Sequence, residues 1–452
     1  MVDTSRETGR RQAVGEGYGS AGYRGYVLVV LALAYTLNFV DRSIIGIVQE
    51  PLKHEFGLTD LQLGLLGGPT FAVLYTVLGV PIARTAERRD RITILSICIG
   101  LWSAMTAVCG LATGFGFLLL ARVGVSIGEA GCTPPAQSVI SDYFPAKRRA
   151  TALAVYSLGI PLGIMIASLA GGYVAQNFGW RRAFLLLGLP GVVLAVVAKV
   201  SVREPPRARA EGTPSLPEAL AQLWSKRTFR HVVAGSSVAL FVTYGMIQYL
   251  NSYMIRSHGL SLVQSTRLTG VLFCACQAAG TFFGGYASDR LGRRFPTALL
   301  LIPAIGLLIA TPSFMIGFLS PSLALAIPFF MIGSFVQCLY SAPTYAAAQG
   351  VVHPRVRATS IAVVLLLGNL FGYALGPPAV GALSDFLASR SLSPSGLTLA
   401  GCQIARDVAL AACKASTEAG LREAIAIALL GYLWAGFHFL RARRTLLRDW
   451  VG

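Results

Sequence analysis

Charge is scarce in this chain. Asp, Glu, Lys and Arg make up 13% of its 452 residues, about half the ~25% of an ordinary soluble domain. With 54% of residues hydrophobic, the balance points to a membrane protein. Acids are scarcer than bases, 20 against 38, for a net charge of +18. That excess does not mark a nucleic-acid binder, because Lys and Arg are scattered between apolar runs instead of gathered on one module. Histidine is rare as well. His54, His231, His258, His353 and His438 are dispersed near the ends of apolar runs, and no nucleophile-and-base arrangement stands out in the polar segments. Neither an enzyme nor a metal or other cofactor is therefore expected. No secretory signal is expected either. The first 24 residues are polar, Gly-rich and Arg-bearing, and no small-residue cleavage site follows the first apolar run.

What is abundant is uninterrupted apolar length. About 20 such residues cross a bilayer as a helix, and the pattern predicts spans near 26–48, 60–83, 92–111, 114–139, 150–174 and 183–200. Six more follow near 230–253, 265–287, 295–318, 323–346, 357–383 and 421–440. The fold class is thus all-α, twelve transmembrane helices in two six-helix halves. The expected divisions are a disordered tail 1–23, a first half 24–200, a linker 201–229 with a short amphipathic helix, a second half 230–441 and a tail 442–452. Thr59-x-x-Gln62 has the form of a capping box opening span two. With both termini on one side, that side holds 27 of the 38 Lys and Arg, the other nine, while Arg42 and Arg122 fall within spans. Both termini are expected in the cytoplasm.

Four ionisable residues interrupt the apolar runs: Asp41 and Arg42 in span one, Arg122 and Glu129 in span four. A charge at the bilayer centre costs at least ~2.5–3.5 kcal/mol, so each needs a partner or a task. Arg122 and Glu129 are two turns apart on one helix face, about 10 Å along the axis. Two readings stay open. In one, an Asp41–Arg122 pair is a static bridge that fixes helix register. In the other, protonation of an acid frees the arginine for Glu129 or for a substrate anion, which is the elementary step of proton coupling. Arg42 serves as gate or as partner.

A loop pattern recurs between the halves. Gly285-x-x-x-Asp289-Arg290-x-Gly292-Arg293-Arg294 joins spans eight and nine, and Ala83-x-x-x-Glu87-Arg88-Arg89-Asp90-Arg91 joins spans two and three. Gly285 would let helices approach closely, Asp289 would pair with basic groups or a helix N-terminus, and Gly292 would allow a tight turn. The same loop at the same place in both halves implies duplication. With this loop, Leu118-x-x-x-Arg122, the Gly/Pro-rich span five (Gly159, Pro161, Gly163) and Gly179-Trp180-Arg181, the chain resembles the major facilitator superfamily from about residue 24 to 441. Asn38-x-x-Asp41-Arg42, Arg122 with Gly128-Glu129-Ala130, and Asp142-Tyr143-Phe144-Pro145-x-x-x-Arg149 look most like its Spinster branch, in a bacterial-type homologue. Glu87 and Asp90 depart from the usual Asp and Gly of the first loop.

The resemblance implies alternating access, a gating role for Glu87, Arg88, Gly285, Asp289, Arg290 and Arg293, and a place in the bacterial inner (plasma) membrane. In the second half, Tyr244, Gln248, Asn251, Gln337, Tyr340 and Asn369 stand where charges might be sought. They are either inter-helix glue or, with Asn38, the polar groups of a cavity. A charged wall facing an apolar one suits an amphiphile with an ionic head. The expected function is proton-coupled transport of lysophospholipid-like or sphingolipid-like substrates by a monomer whose partners are substrate, protons and bilayer. The alternatives are a symporter of small organic anions and a non-transporting lipid receptor. Gly159-x-Pro161-x-Gly163 and Gly372-x-x-x-Gly376-Pro377-Pro378 are expected to interrupt spans five and eleven. Cys402 and Cys413 share an outward loop, 385–420, and are either bonded or two free thiols.

Overall fold

The computed structural model describes residues 18–206, 215–292, 294–403 and 407–451, helical nearly throughout and without a strand among them. In hydrocarbon every backbone donor and acceptor must be satisfied within the chain, which helices accomplish. Among the described residues, eleven helical segments are long and apolar enough to cross a membrane, and each overlaps an expected span. Span two is the twelfth. It is built from Asp60–Gly67 and Pro69–Arg88 with a break at Gly68, and Thr59 and Gln62 form the expected capping box.

Two expectations need correction. The segment 385–420 is largely not a loop: helix runs on from Ala374 to Leu392, and the last pair of helices already begins at Asp407. Continuous i→i+4 bonding carries both helices past the apolar windows that defined them. The tail 442–452 is likewise helical as far as Asp449. Residues 1–17 of the first tail, 207–214 of the linker, and Arg293 lie outside the described residues.

Contacts divide the chain into two units, Met1–Ile47 with Val73–Glu211, and Val48–Ala72 with Gly212–Gly452. In the first, Arg91–Cys109 packs along Trp180–Ser201 and Phe115–Glu129, while Ala21–Ile47 packs along Gly159–Ile166. Gly163 makes that last contact close, since a Cβ there would collide with the Thr36 carbonyl and Phe39. Span five breaks as expected. One helix ends at Ser157, the next starts at Gly159, and a wide π turn occupies Ala167–Gly171.

In the second unit, span eleven carries its π turn at Asn369–Tyr373, just before Pro377-Pro378. Each proline lacks the amide that the carbonyl four residues back would accept, and the wider turn takes up the misfit. The segment Val48–Ala72 belongs here because small residues admit it: a Cβ on Gly64 would lie 2.6 Å from the Pro377 carbonyl oxygen, and one on Gly67 2.6 Å from Gln248 Nε2. At the unit's other end, Asp449 accepts from the Thr228 amide at 2.8 Å and Thr228 meets Thr445 at 2.7 Å. The C-terminal helix thereby caps the start of span seven.

Candidate functional site

Span four is interrupted just after its acid. The helix Phe115–Glu129 ends at Glu129, and a turn leads to Thr133–Tyr143, which opens on Pro134-Pro135. A carboxylate at a helix C-terminus meets the negative end of the helix dipole, so Glu129 requires a cation. That cation is Arg42, whose Nε donates to Glu129 Oε2 at 2.7 Å, the arginine 21% exposed and the acid fully buried. Arg42 also lies over the Phe39 ring, 5.1 Å from its centroid.

The expected Asp41–Arg122 ion pair is not formed. Arg122, itself buried, donates from Nη1 to the Asp41 backbone carbonyl at 3.2 Å. Its Nε and Nη2, Asp41 Oδ1 and Glu129 Oε1 have no hydrogen-bond partner. Thr106 stands beside the Asp41 carboxylate and Asn38 beside that of Glu129, both outside hydrogen-bond geometry. The first unit thus brings together Asn38, Asp41, Arg42, Arg122 and Glu129. Two acids balance two arginines, so Glu129 is not a surplus charge. Several of their polar atoms are left open to a proton, a water or a ligand.

A second network in this unit escaped sequence reasoning. Asp90 accepts from the Thr93 amide and so caps span three. Arg91, 4% exposed, pairs with Asp142 at 2.5 Å and with Glu204 at 2.6 Å. Glu204 also accepts from the Arg91 amide at 2.9 Å, and Tyr143 donates to the Arg203 carbonyl at 2.6 Å. The start of the linker is therefore fastened to spans three and four. The signal was present, since the loop repeat sets Arg91 opposite Arg293. The side chains of Glu87 and Arg88 lie outside the described ones.

In the other copy of the loop, the close approach falls one residue before Gly285. A Cβ on Gly284 would lie 2.6 Å from the Leu339 carbonyl oxygen, whereas one on Gly285 would meet Ala342 at an ordinary 3.6 Å. The face that packs is Gly280, Gly284 and Ser288, four residues apart. Asp289 and Arg290 are exposed, Arg290 donating to Tyr286 at 2.9 Å. The helix ends at Gly292 without a left-handed φ.

The amides of the second half divide by task. Asn251 accepts from Ser265 at 2.8 Å and Thr269 at 3.0 Å, and Gln337 accepts from Tyr432 and from Thr243 at 3.3 Å. Both act as glue between helices. Tyr340 is buried with its ring 6.4 Å from Phe439. Tyr244 reaches Asn369 at 3.4 Å and stacks edge-on with Tyr373, and Gln248 Nε2 has no hydrogen-bond partner. The polar groups left for a ligand are fewer than the sequence offered. Among the described residues no group of three His, Cys, Asp or Glu converges as metal ligands would.

One further cluster was missed entirely. Arg256, at the end of span seven, forks onto Asp60 with two contacts of 2.9 Å and reaches Glu50 at 2.7 Å, while Lys53 meets Asp60 at 2.5 Å. Asp60 also accepts from Ser384 at 2.7 Å. Asp385 accepts from the Asp60 and Leu61 amides at 3.0 and 2.8 Å, capping that helix from span eleven. Burial alone would raise the Glu50 carboxyl, but Arg256 and Lys53 hold it below its ordinary 4.5. The expected Cys402–Cys413 alternative resolves to a disulfide, Cα atoms 5.6 Å apart.

The sequence model of the Major Facilitator Superfamily matches residues 31–377. An MFS-type efflux pump of Mycolicibacterium smegmatis is 36% identical over 365 residues, covering 79% of this chain and 84% of that one. Protein spinster of Drosophila melanogaster is 28% identical over 397 residues, 82% of this chain and 64% of the relative's length. Among solved structures, an inward-facing, unoccupied bacterial homolog to the human lysosomal transporter Spinster superposes with a TM-score of 0.89. It is 36% identical and covers 96% of this chain and 100% of that one.

Proposed function

The chain belongs to the Major Facilitator Superfamily as a multi-pass, Spinster-like membrane transporter, and we propose that it moves lipid-like amphiphiles coupled to protons. The observation that carries this reading is the quartet of three buried residues, Asp41, Arg122 and Glu129, with the part-exposed Arg42, in which only one of the two acids is paired through its side chain. With both acids ionised, the quartet is neutral. A proton on Glu129 removes the charge that holds Arg42 and leaves the cluster with one net positive charge in a low-dielectric setting. An anionic headgroup restores neutrality, so proton and substrate occupancy are linked through the arginines. The reading includes a monomer in the plasma membrane of a bacterium, and the distribution of Lys and Arg favours both termini in the cytoplasm.

The test is transport by purified protein in liposomes. A labelled lysophospholipid is expected to accumulate under an imposed pH gradient in wild type, and not in Asp41→Asn or Glu129→Gln protein that still folds. Accumulation indifferent to the gradient would remove proton coupling. Inhibition by a hydrophilic carboxylate, with lysolipids inert, would reassign the substrate to small organic anions. Binding without movement would make the protein a receptor.

A further inference from the structure

The linker helix Leu216–Ser225 buries Ala219 and Leu223 but turns Leu216, Leu220 and Trp224 outward, 57%, 39% and 48% exposed. Residues at that spacing form one stripe, and a stripe of this kind beside a bilayer lies in the lipid interface. The chain then passes through Lys226 into span seven. There Arg227, Arg230 and His231 line an open recess of about 410 Å³. His231 is backed by His438, the two Nδ1 atoms 3.0 Å apart, so one ring donates and the other accepts. Arg441 lies within electrostatic range of His231.

Two carboxylates described on these elements hold backbone amides. Asp449 holds the Thr228 amide, and Glu218 accepts from the Ser215 amide at 3.3 Å. On the far flank Trp434 and Phe437 are 61% and 51% exposed, with Arg441 over the Phe437 ring. A cationic recess with ring and guanidinium donors is therefore bordered on both flanks by apolar side chains turned outward.

We propose that this recess binds the phosphate of an anionic phospholipid from the surrounding bilayer, with its acyl chains along the Trp434–Phe437 edge and the linker helix. Two guanidinium groups three residues apart on one helix turn match a phosphate's oxygens, and basic recesses between spans on the positively charged side suit such headgroups. A soluble phosphate would gain nothing from the exposed aromatic borders, which is why the lipid is the source assigned. The site is separate from the transport quartet and does not depend on the substrate proposed above.

The experiment is native mass spectrometry of delipidated full-length protein given equal amounts of phosphatidylglycerol and phosphatidylcholine. One phosphatidylglycerol should be retained in preference, and millimolar inorganic phosphate should not displace it. Arg227→Gln with Arg230→Gln should weaken retention by about fivefold per arginine removed. The same charge loss at exposed Arg148 and Arg355 should leave it unchanged. Equal retention of both lipids, displacement by phosphate, no effect of the double variant, or equal loss in the control pair would each overturn the proposal. If the double variant does not fold, wild-type tryptophan quenching decides: brominated phosphatidylglycerol must quench more than brominated phosphatidylcholine, and equal quenching overturns the site.

Discussion

Arg42 and Glu129, 87 residues apart in sequence, meet at 2.7 Å, yet their burial is unequal: the arginine is 21% exposed and the carboxylate is not exposed at all. That inequality makes the two deletions unequal. Arg42→Ala strands a buried anion at a helix C-terminus, a loss in the range of about 3–5 kcal/mol. Glu129→Gln leaves an arginine that already touches solvent, so it should cost clearly less. Thermal unfolding in detergent should rank the variants in that order, while both abolish gradient-driven uptake. The opposite ranking would mean that Glu129 is not held chiefly by Arg42.

The Glu50–Lys53–Asp60–Arg256 cluster predicts a pH dependence of stability. The Glu50 carboxyl sits below its ordinary 4.5 in the folded protein, because Arg256 and Lys53 outweigh its desolvation. A group so depressed binds its proton more weakly folded than unfolded. Its contribution is complete above its unfolded value and is lost as pH falls from about 4.5 through the folded value. Melting temperature should therefore drop on acidification below about pH 4.5, and Glu50→Gln should flatten that limb while lowering the plateau above it. An acid limb of unchanged steepness in Glu50→Gln would count against the assignment.

Arg91 predicts non-additivity. It is 5% exposed as a side chain and pairs with both Asp142 and Glu204. Arg91→Ala leaves two half-buried carboxylates facing one vacated site, at a cost of about 3 kcal/mol or more. Adding Glu204→Gln should then recover part of the loss, since one of the two like charges is gone. On wild-type Arg91 the same change should instead destabilise. A double-mutant cycle measured by chemical unfolding reads this sign reversal. Simple addition of the two losses would show that Arg91 and Glu204 are uncoupled.

The spans were legible because about 20 apolar residues must become helix in hydrocarbon whatever their neighbours do. The buried acids and arginines were legible for a related reason, the cost of charge in lipid. Their pairing was not. Asp41 and Arg42 are adjacent, about 100° apart around the helix, and which of them turns its side chain to span four depends on a rotation that apolar runs leave open. Arg42 takes Glu129, and Arg122 is left with the Asp41 main chain. The same one-residue phase separates Gly284, where helices touch, from Gly285, where the motif pointed. Apart from Lys53 and Asp60, the Arg256 cluster joins residues 196 to 325 positions apart, and no local pattern encodes such partners.

The Cys402–Cys413 bond predicts a local effect in place of a global one. It spans 11 positions and ties the turn Gly401–Gln403 to the first turns of Asp407–Leu429. Closing a loop of that size is worth somewhat less than the ~3 kcal/mol expected for 15 residues. That gain applies only to states in which this segment opens. Local opening commonly precedes unfolding of a packed bundle, so reduction should speed amide exchange at 407–413 by about tenfold or more. The helices that carry Asp41 and Glu129 should exchange as before, and gradient-driven uptake should persist. Cys402→Ser with Cys413→Ser should reproduce the reduced protein without a reductant. If exchange at 407–413 were the same in oxidised and reduced protein, the bond would be constraining a segment already held by its own packing, with Cys413 buried to 3% exposure as the place to look for that packing.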